Sequence, residues 1–428
     1  MDTTTKIPGL LDHLFRVESG KLIAVLTGVF GAHYLELAED VVQDTLADAL
    51  SVWDYKGIPQ NPGAWLYTVA KNKALNIIRR EKYHRKFTTE AARLLTSQWT
   101  TIPTLDHLFS QKEIADDQLR MMFTCCHPAI TTDSQIALIL KTLCGFSIPE
   151  IARAFLSAED SINKRLVRAR QKIRDADIAF EMPEGEGLHQ RAEAVLQAIY
   201  LLFNEGYKAS SGDDLIRYEL CEEAIRLAEM LAVHPAIPDK SDTNALLALM
   251  LFNASRFHSR QDREGNILPM SAQDRSGWNA ELIRKGFYYI GREPLPEKIT
   301  PYHILAAISA HHCSSPDFAS TDWASILLLY DSLVEIDPSP VVRLNRTIAL
   351  SKVQGPESAL DELGKIKQDP FLQSYYLYHA SEAEFHMQLG QPGESAKSLR
   401  KAIDLAPLKA EKDLLEKKLE ECRQRCPF

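Results

Sequence analysis

The sequence predicts an all-α protein. Three observations carry that reading. Apolar residues recur at steps of three and four along most of the 428 residues, no segment alternates as a strand does, and turn-formers punctuate the periodic stretches. The length suits two or three domains of roughly 100–200 residues each. Apolar, Gly and Pro content are those of an ordinary globular protein. No apolar run approaches the ~18 residues of a membrane span, and the N-terminus lacks a basic start followed by an apolar core, so no signal peptide or membrane is expected. Seven scattered cysteines argue for reduced thiols and a cytoplasmic protein.

Taken in order, residues 10–34 read as an amphipathic helix or helix pair through Leu10, Leu11, Leu14, Phe15, Leu22, Ile23 and Leu26. Residues 37–53 read as an acidic amphipathic helix. Val41, Val42, Leu46, Ala49, Leu50 and Trp53 form its apolar stripe, and Asp40, Gln43, Asp44 and Asp48 its other side. A breaker-rich loop, residues 54–63, leads to a helix over 64–83 in which Trp65, Val69, Leu75 and Ile78 pack inward. Trp65, Tyr67, Lys71, Asn72, Lys73 and Asn76 there interleave aromatic, basic and amide groups. That mixture suits unstacked single-stranded bases, and equally a core Trp beside a basic helix end. Residues 87–112 are weakly periodic and read as a linker. Residues 116–141 are helical, interrupted by Cys125-Cys126-His127-Pro128. Adjacent cysteines lack the spacing of a zinc site, so packing thiols and a helix end at His127-Pro128 are expected, with no metal.

Residues 141–174 read as a helix-turn-helix. Ser147 and Pro149 open a short helix, and Ser157 with Asp160 has the spacing of a capping box that starts a second helix near Ala158. Ile162, Leu166, Ala169 and Ile173 make one buried stripe, and Lys164, Arg165, Arg168, Arg170, Lys172 and Arg174 crowd the other faces. A helix anchored on one side and cationic on the rest suits the major groove; a solvated basic surface helix is the plainer reading. The net charge of −9 hides a division. Residues 1–180 hold 22 Lys/Arg against 21 Asp/Glu, and the remainder 27 against 37. The cations of the first part concentrate in this helix and in residues 71–86, which suggests two contacts on one duplex.

With these stretches in place, the order resembles the extracytoplasmic-function sigma factors of bacterial RNA polymerase. Region two corresponds to residues 7–86, a linker to 87–111, and region four to 112–176. The stretch AEDVVQDTLADAL looks like the helix that docks on the clamp coiled coil of the largest polymerase subunit, PGAWLYTVAKNKALNIIRR like the helices that melt and read the minus-ten element, and SIPEIARAF with SINKRLVRARQKIR like the minus-thirty-five reader. The resemblance implies core polymerase (clamp coiled coil and beta flap) and promoter DNA as partners. It assigns Asp40, Gln43 and Asp44 to core binding. Trp53, Lys56, Trp65, Lys71, Asn72, Lys73, Arg79 and Arg80 fall to the minus-ten element, and Asn163, Lys164, Arg165 and Arg168 to the minus-thirty-five element. The linker is not strongly acidic, and Asn163 and Lys164 stand where Arg and Ser are common in the family, so the promoter sequence does not transfer.

Residues 185–428 lie beyond a minimal sigma factor. Helices are expected over 188–231 as a pair with a turn at 206–212, then at about 241–260, 275–291, 301–312, 321–335, 340–353, 371–389, 392–405 and 408–424. Leu389-Gly390, Ala396, Ala402 and Pro407 resemble the later part of a tetratricopeptide repeat, with a fainter copy 37 residues earlier. Residues 203–207, 273–275, 311–312 and 321–323 are distinctive, yet none has nucleophile-and-base, phosphate-loop or HExxH spacing. No catalytic residue, cofactor or enzyme activity is therefore assigned. Asp274, Arg275 and Trp278 fit a packed polar network. The whole resembles the sigma subgroup whose long helical extension stands in for a separate anti-sigma protein. That implies self-regulation, with a protein or small-molecule signal at the extension. Two alternatives stay open: a helix-turn-helix repressor with a sensory helical domain, and a scaffold that binds no DNA.

Overall fold

The structure, a computed structural model, describes residues 6–81, 110–155, 157–208, 216–237, 239–294 and 296–425. Most of the expected linker lies outside the described residues, as does Lys82–Lys86 of the second basic stretch. The fold is all-α. No strand forms among the described residues, and one isolated bridge pairs Gln261 with Ile267. No helix among them is long and apolar enough to cross a membrane.

The chain divides into two compact units, Met1–Leu202 with Glu222–Pro238, and Phe203–Cys221 with Asp239–Phe428. The boundary therefore falls later than residue 185, and the chain passes between units more than once. In the first unit α1 (Lys6–Phe30) is one continuous helix, followed by a 3-10 turn at Ala32–Tyr34. Leu22, Ala24, Val25, Leu26 and Phe30 are all buried, more of the helix surface than an amphipathic stripe covers. It is covered by α2 (Leu35–Lys56), α3 (Pro62–Glu81), α4 (Gln111–Cys125) and α5 (Thr132–Thr142). Gly20 lets α1 meet the end of α5: a Cβ there would stand 1.9 Å from the Leu143 carbonyl oxygen. Cys125 and Cys126 are buried, and burial pushes the Cys125 thiol up to about 12, so both act as packing groups.

The helix-turn-helix is α6 (Ile148–Ala154) and α7 (Glu159–Asp175). Its capping differs from expectation. Ala158 caps α7 with no side-chain hydrogen bond, so the Ser157–Asp160 box does not form. The box closes one helix earlier. Glu150 accepts from the Ser147 backbone N–H at 2.8 Å and from its hydroxyl at 2.7 Å. Burial pushes the Glu150 carboxyl up, but the Ser147 N–H and the Arg16 guanidinium hold it below its ordinary value.

In the second unit α8 (Glu186–Tyr207) ends and α9 (Tyr218–Val233) begins. Then come α10 (Ser241–Ala254), buried on nearly every side, α11 (Ala280–Ile290), α12 (Pro301–Ser314), α13 (Trp323–Ile336), α14 (Pro340–Gln354), α15 (Pro356–Lys365), α16 (Pro370–Gln373), α17 (Tyr376–Gln388), α18 (Pro392–Leu405) and α19 (Lys409–Arg425). The expected helices over 241–260 and 275–291 are shorter because residues 255–279 form a loop braced by 3-10 turns, and Asn279 caps α11 through its side chain. The expected helix at 371–389 is two, broken at Ser374 and Tyr375. Successive helices pack as hairpins. Gly355 (φ 90°) and Gly390 (φ 70°) turn the α14–α15 and α17–α18 pairs, and the equivalent Ala359 and Ala396 are both buried. The faint copy thus folds as a second hairpin.

Candidate nucleic-acid interface

Helix α7 buries Ile162, Leu166, Ala169 and Ile173, the stripe read from sequence. Asn163, Lys164, Arg168, Gln171 and Lys172 are exposed on its outer face, with Val167 60% exposed among them. The remaining cations are engaged. Arg165 lies 3.5 Å from Asp133 and over the Phe155 ring. Arg170 pairs with Glu39 at 2.9 Å, both half-buried, and Arg174 with Glu36 at 2.9 Å. Burial raises the Glu39 carboxyl above its ordinary value even with Arg170 beside it. These pairs tie the C-terminal part of α7 to the start of α2, and Arg16 ties α1 to Glu150 of α6 at 3.2 Å.

Helix α3 presents a ridge at steps of four, Thr68, Asn72, Asn76 and Arg80, all exposed. Lys73 pairs with Asp48 at 2.8 Å, and Lys71 is half-buried. The Arg79 side chain lies outside what the structure describes. Leu66, Ala70, Ala74, Leu75 and Ile78 are buried, while Trp65 and Val69 are only half so; the inward stripe is turned by one residue in the first half of the helix. Trp53, expected to face DNA, is instead core. It is 6% exposed, 5.6 Å from Phe15 and edge-on to Trp65 at 5.4 Å. It belongs to α2, which runs on through an exposed Lys56, so the loop begins only at Gly57. Burial pushes the Tyr67 hydroxyl above its ordinary value, and Glu18 adds to the rise, so Tyr67 too faces protein. Trp53, Trp65 and Tyr67 hold the helices together rather than lying open as a platform.

Asp40, Gln43 and Asp44 are exposed on one face of α2. Leu50, read as core, is 56% exposed; the buried stripe runs Val41, Val42, Thr45, Ala49, Trp53 instead. Thr45 falls in the inward row at steps of three and four, and its buried hydroxyl is satisfied by the Val41 carbonyl at 2.7 Å. Tyr55 is 88% exposed and Ile58 44%. Sequence reasoning misses all three as surface groups. A helical-wheel count from Asp40 puts Leu50 at the flank of the acidic face, which is the one available signal.

In the second unit, the distinctive clusters come together. Arg275 donates to the His312 carbonyl at 2.7 Å, the Ser315 carbonyl at 3.0 Å and the Thr321 hydroxyl at 2.9 Å, closing the end of α12. Arg256 and Arg275 both lie over the Trp278 ring, at 5.3 and 5.1 Å. Arg275 and Trp278 thus form the packed network expected there, while Asp274 is exposed and its carboxylate accepts from Ser276 instead.

Residues 14–83 match the family described as sigma-70 region 2, and residues 120–173 that described as sigma-70, region 4. Residues 191–293 match a family of unknown function. An uncharacterized protein of Rhizobium meliloti (strain 1021) is 36% identical over 373 residues, 87% of this chain and 86% of that protein. No solved structure matches.

Proposed function

We propose that the chain, whose residues 14–83 and 120–173 match sigma-70 regions 2 and 4, is a sigma factor of the extracytoplasmic-function type and directs promoter-specific initiation through three outward faces of its first unit. Asp40, Gln43 and Asp44, with Leu50 beside them, dock on the clamp coiled coil of core polymerase. The exposed apolar side chain supplies the desolvated centre that an acidic rim alone lacks. Asn72, Asn76 and Arg80 follow the minus-ten strand, and Tyr55 at the loop edge offers a ring for an unstacked base. Asn163, Lys164 and Arg168 enter the major groove at the minus-thirty-five element. The observation that carries this is the pairing of closed apolar stripes with open polar faces on all three helices. The protein acts in the cytoplasm, and the polymerase performs the chemistry. The second unit controls its activity.

The test is transcription from a fragmented genomic library with purified core polymerase. Defined start sites are expected only when the protein is added. Leu50→Asp should abolish both co-elution with core and those starts while leaving melting unchanged. Arg168→Ala should weaken duplex binding and lower the slope of log K on log salt by about 0.9. A protein that binds duplex DNA but neither co-elutes with core nor initiates would instead be a repressor. Control by the second unit predicts that Phe385→Ala, in the core of that unit, changes transcript yield without changing duplex affinity.

A further inference from the structure

The second unit holds a cavity of about 900 Å³. Its walls come from α13, α14, α17, α19, the end of α12, the loop at Phe318 and the loop over residues 262–272. Seven segments facing one space make a concavity rather than a linear groove, and the volume falls in the range of small-molecule sites. The loop wall is held in place from within. Asp262 accepts from the backbone N–H groups of Glu264 and Asn266, and Gln273 Nε2 donates to the Leu268 carbonyl at 2.9 Å. A pre-set wall costs little ordering on binding.

The lining identifies the ligand class. Leu268, Met270, Phe318, Trp323 and Ile348 present apolar and aromatic surface. Ile348 is 38% exposed although it sits among them, an apolar side chain left open where the helices converge. Lys418 pairs with Glu384 at 3.0 Å, and Lys352 lies over the Phe318 ring at 5.5 Å. His312, on the lining and edge-on to Trp323 at 5.3 Å, is held neutral: burial, then Arg256 and Arg275, push its pKa down to about 3.

We propose that this cavity binds a largely apolar small molecule with an aromatic body, seated against Trp323, Phe318 and Ile348. The inference stands on the second unit alone and does not depend on the first unit's role in initiation.

The test titrates the full chain with the neutral fluorophore N-phenyl-1-naphthylamine. Saturable binding of one probe per chain is expected. Ser381→Trp, which fills the cavity, and Ile348→Asp, which places a charge on its apolar wall, should each weaken binding at least tenfold. Leu328→Asp, at a residue 67% exposed and outside the cavity, should leave it unchanged. Thermal melting of each variant reports folding, and Ile348→Asp carries the test if Ser381→Trp does not fold. Failure of the probe to saturate, or equal effects of Ile348→Asp and Leu328→Asp, overturns the proposal.

Discussion

The two units are held together by different kinds of contact. In the first, the decisive pairs join residues more than a hundred positions apart: Arg16 with Glu150, Arg170 with Glu39, Gly20 with the Leu143 carbonyl. In the second, most helices pack chiefly on their neighbours in sequence, although α12 packs most on α10 and Lys208 reaches Glu411 at 3.1 Å, and separate apolar clusters gather around successive hairpins. A stack of neighbours approximates a sum of local terms, so a fault stays near its origin. A unit closed by distant pairs has no such insulation, because loosening one contact frees whole helices. The helices proposed to face DNA lie in the unit without insulation: α7 owes its placement partly to acids on α2. The proposed promoter-facing and polymerase-facing helices thus share an ion-paired seam.

The sharpest way to break this comparison is at glycine. Gly20→Val would drive side-chain carbon into the Leu143 backbone, which cannot yield without moving α5. A loss of about 3 kcal/mol is expected, seen as a drop in melting temperature of roughly 6–12 °C. Gly364, within α15, has nothing within 4 Å of the place a methyl group would take. Gly364→Ala should therefore raise stability by about 0.5 kcal/mol through the unfolded chain. If both substitutions behave alike, the contrast between distant and neighbouring closure fails.

The seam is the next largest effect. Arg170→Ala leaves Glu39 half-buried without its partner, and about 2 kcal/mol should be lost. Glu39→Gln in the same chain should recover most of it, since the carboxylate that needed the guanidinium is gone. Differential scanning calorimetry of the two single variants and the double variant gives the coupling directly. Additive losses would mean that the pair contributes nothing to closure.

Much of this is legible in the sequence. The stripe of α7 can be read because its period is regular and nearly all its other positions are polar, leaving one way to bury the helix. The helix-turn-helix and most helices of the second unit are readable for the same reason. Helix α2 is harder. Leu46, Leu50 and Thr45 compete for one inward row, and composition favours the leucines; the structure buries Thr45, whose hydroxyl finds the Val41 carbonyl. The family position of Trp53 points to DNA, and only the packing of Phe15 and Trp65 around it shows it to be core. The cross-region pairs are out of reach altogether. Periodicity says which face of a helix turns inward but not which distant acid will meet Arg170. The capping box fails differently: Ser157 and Ser147 both fit the spacing, yet only Glu150 reaches back to its serine, and Arg16 of α1 adds a charge to it.

A further expected effect sharpens the comparison through pH. Asp117 of α4 is buried against α1, where a Cβ on Gly28 would lie 3.2 Å from its carboxylate, and burial lifts its pKa to about 7 despite the Arg120 guanidinium at 2.6 Å. A carboxyl raised in the folded state favours the protonated, folded form. Its contribution is complete below the unfolded value near 4 and is lost as pH rises through about 7. The first unit should accordingly lose stability between pH 5 and pH 8 through this group. Asp117→Asn stays neutral across that window, so the variant should gain on the parent chain as pH rises and melt a few degrees higher at pH 8. Arg120 keeps Glu113 at 3.8 Å as a second acid, which limits the loss from removing its first partner. Melting curves at pH 5 and pH 8 for both chains decide it: an unchanged difference between the two pH values would place the Asp117 titration below this window and return the burden of closure to the ion-paired seam alone.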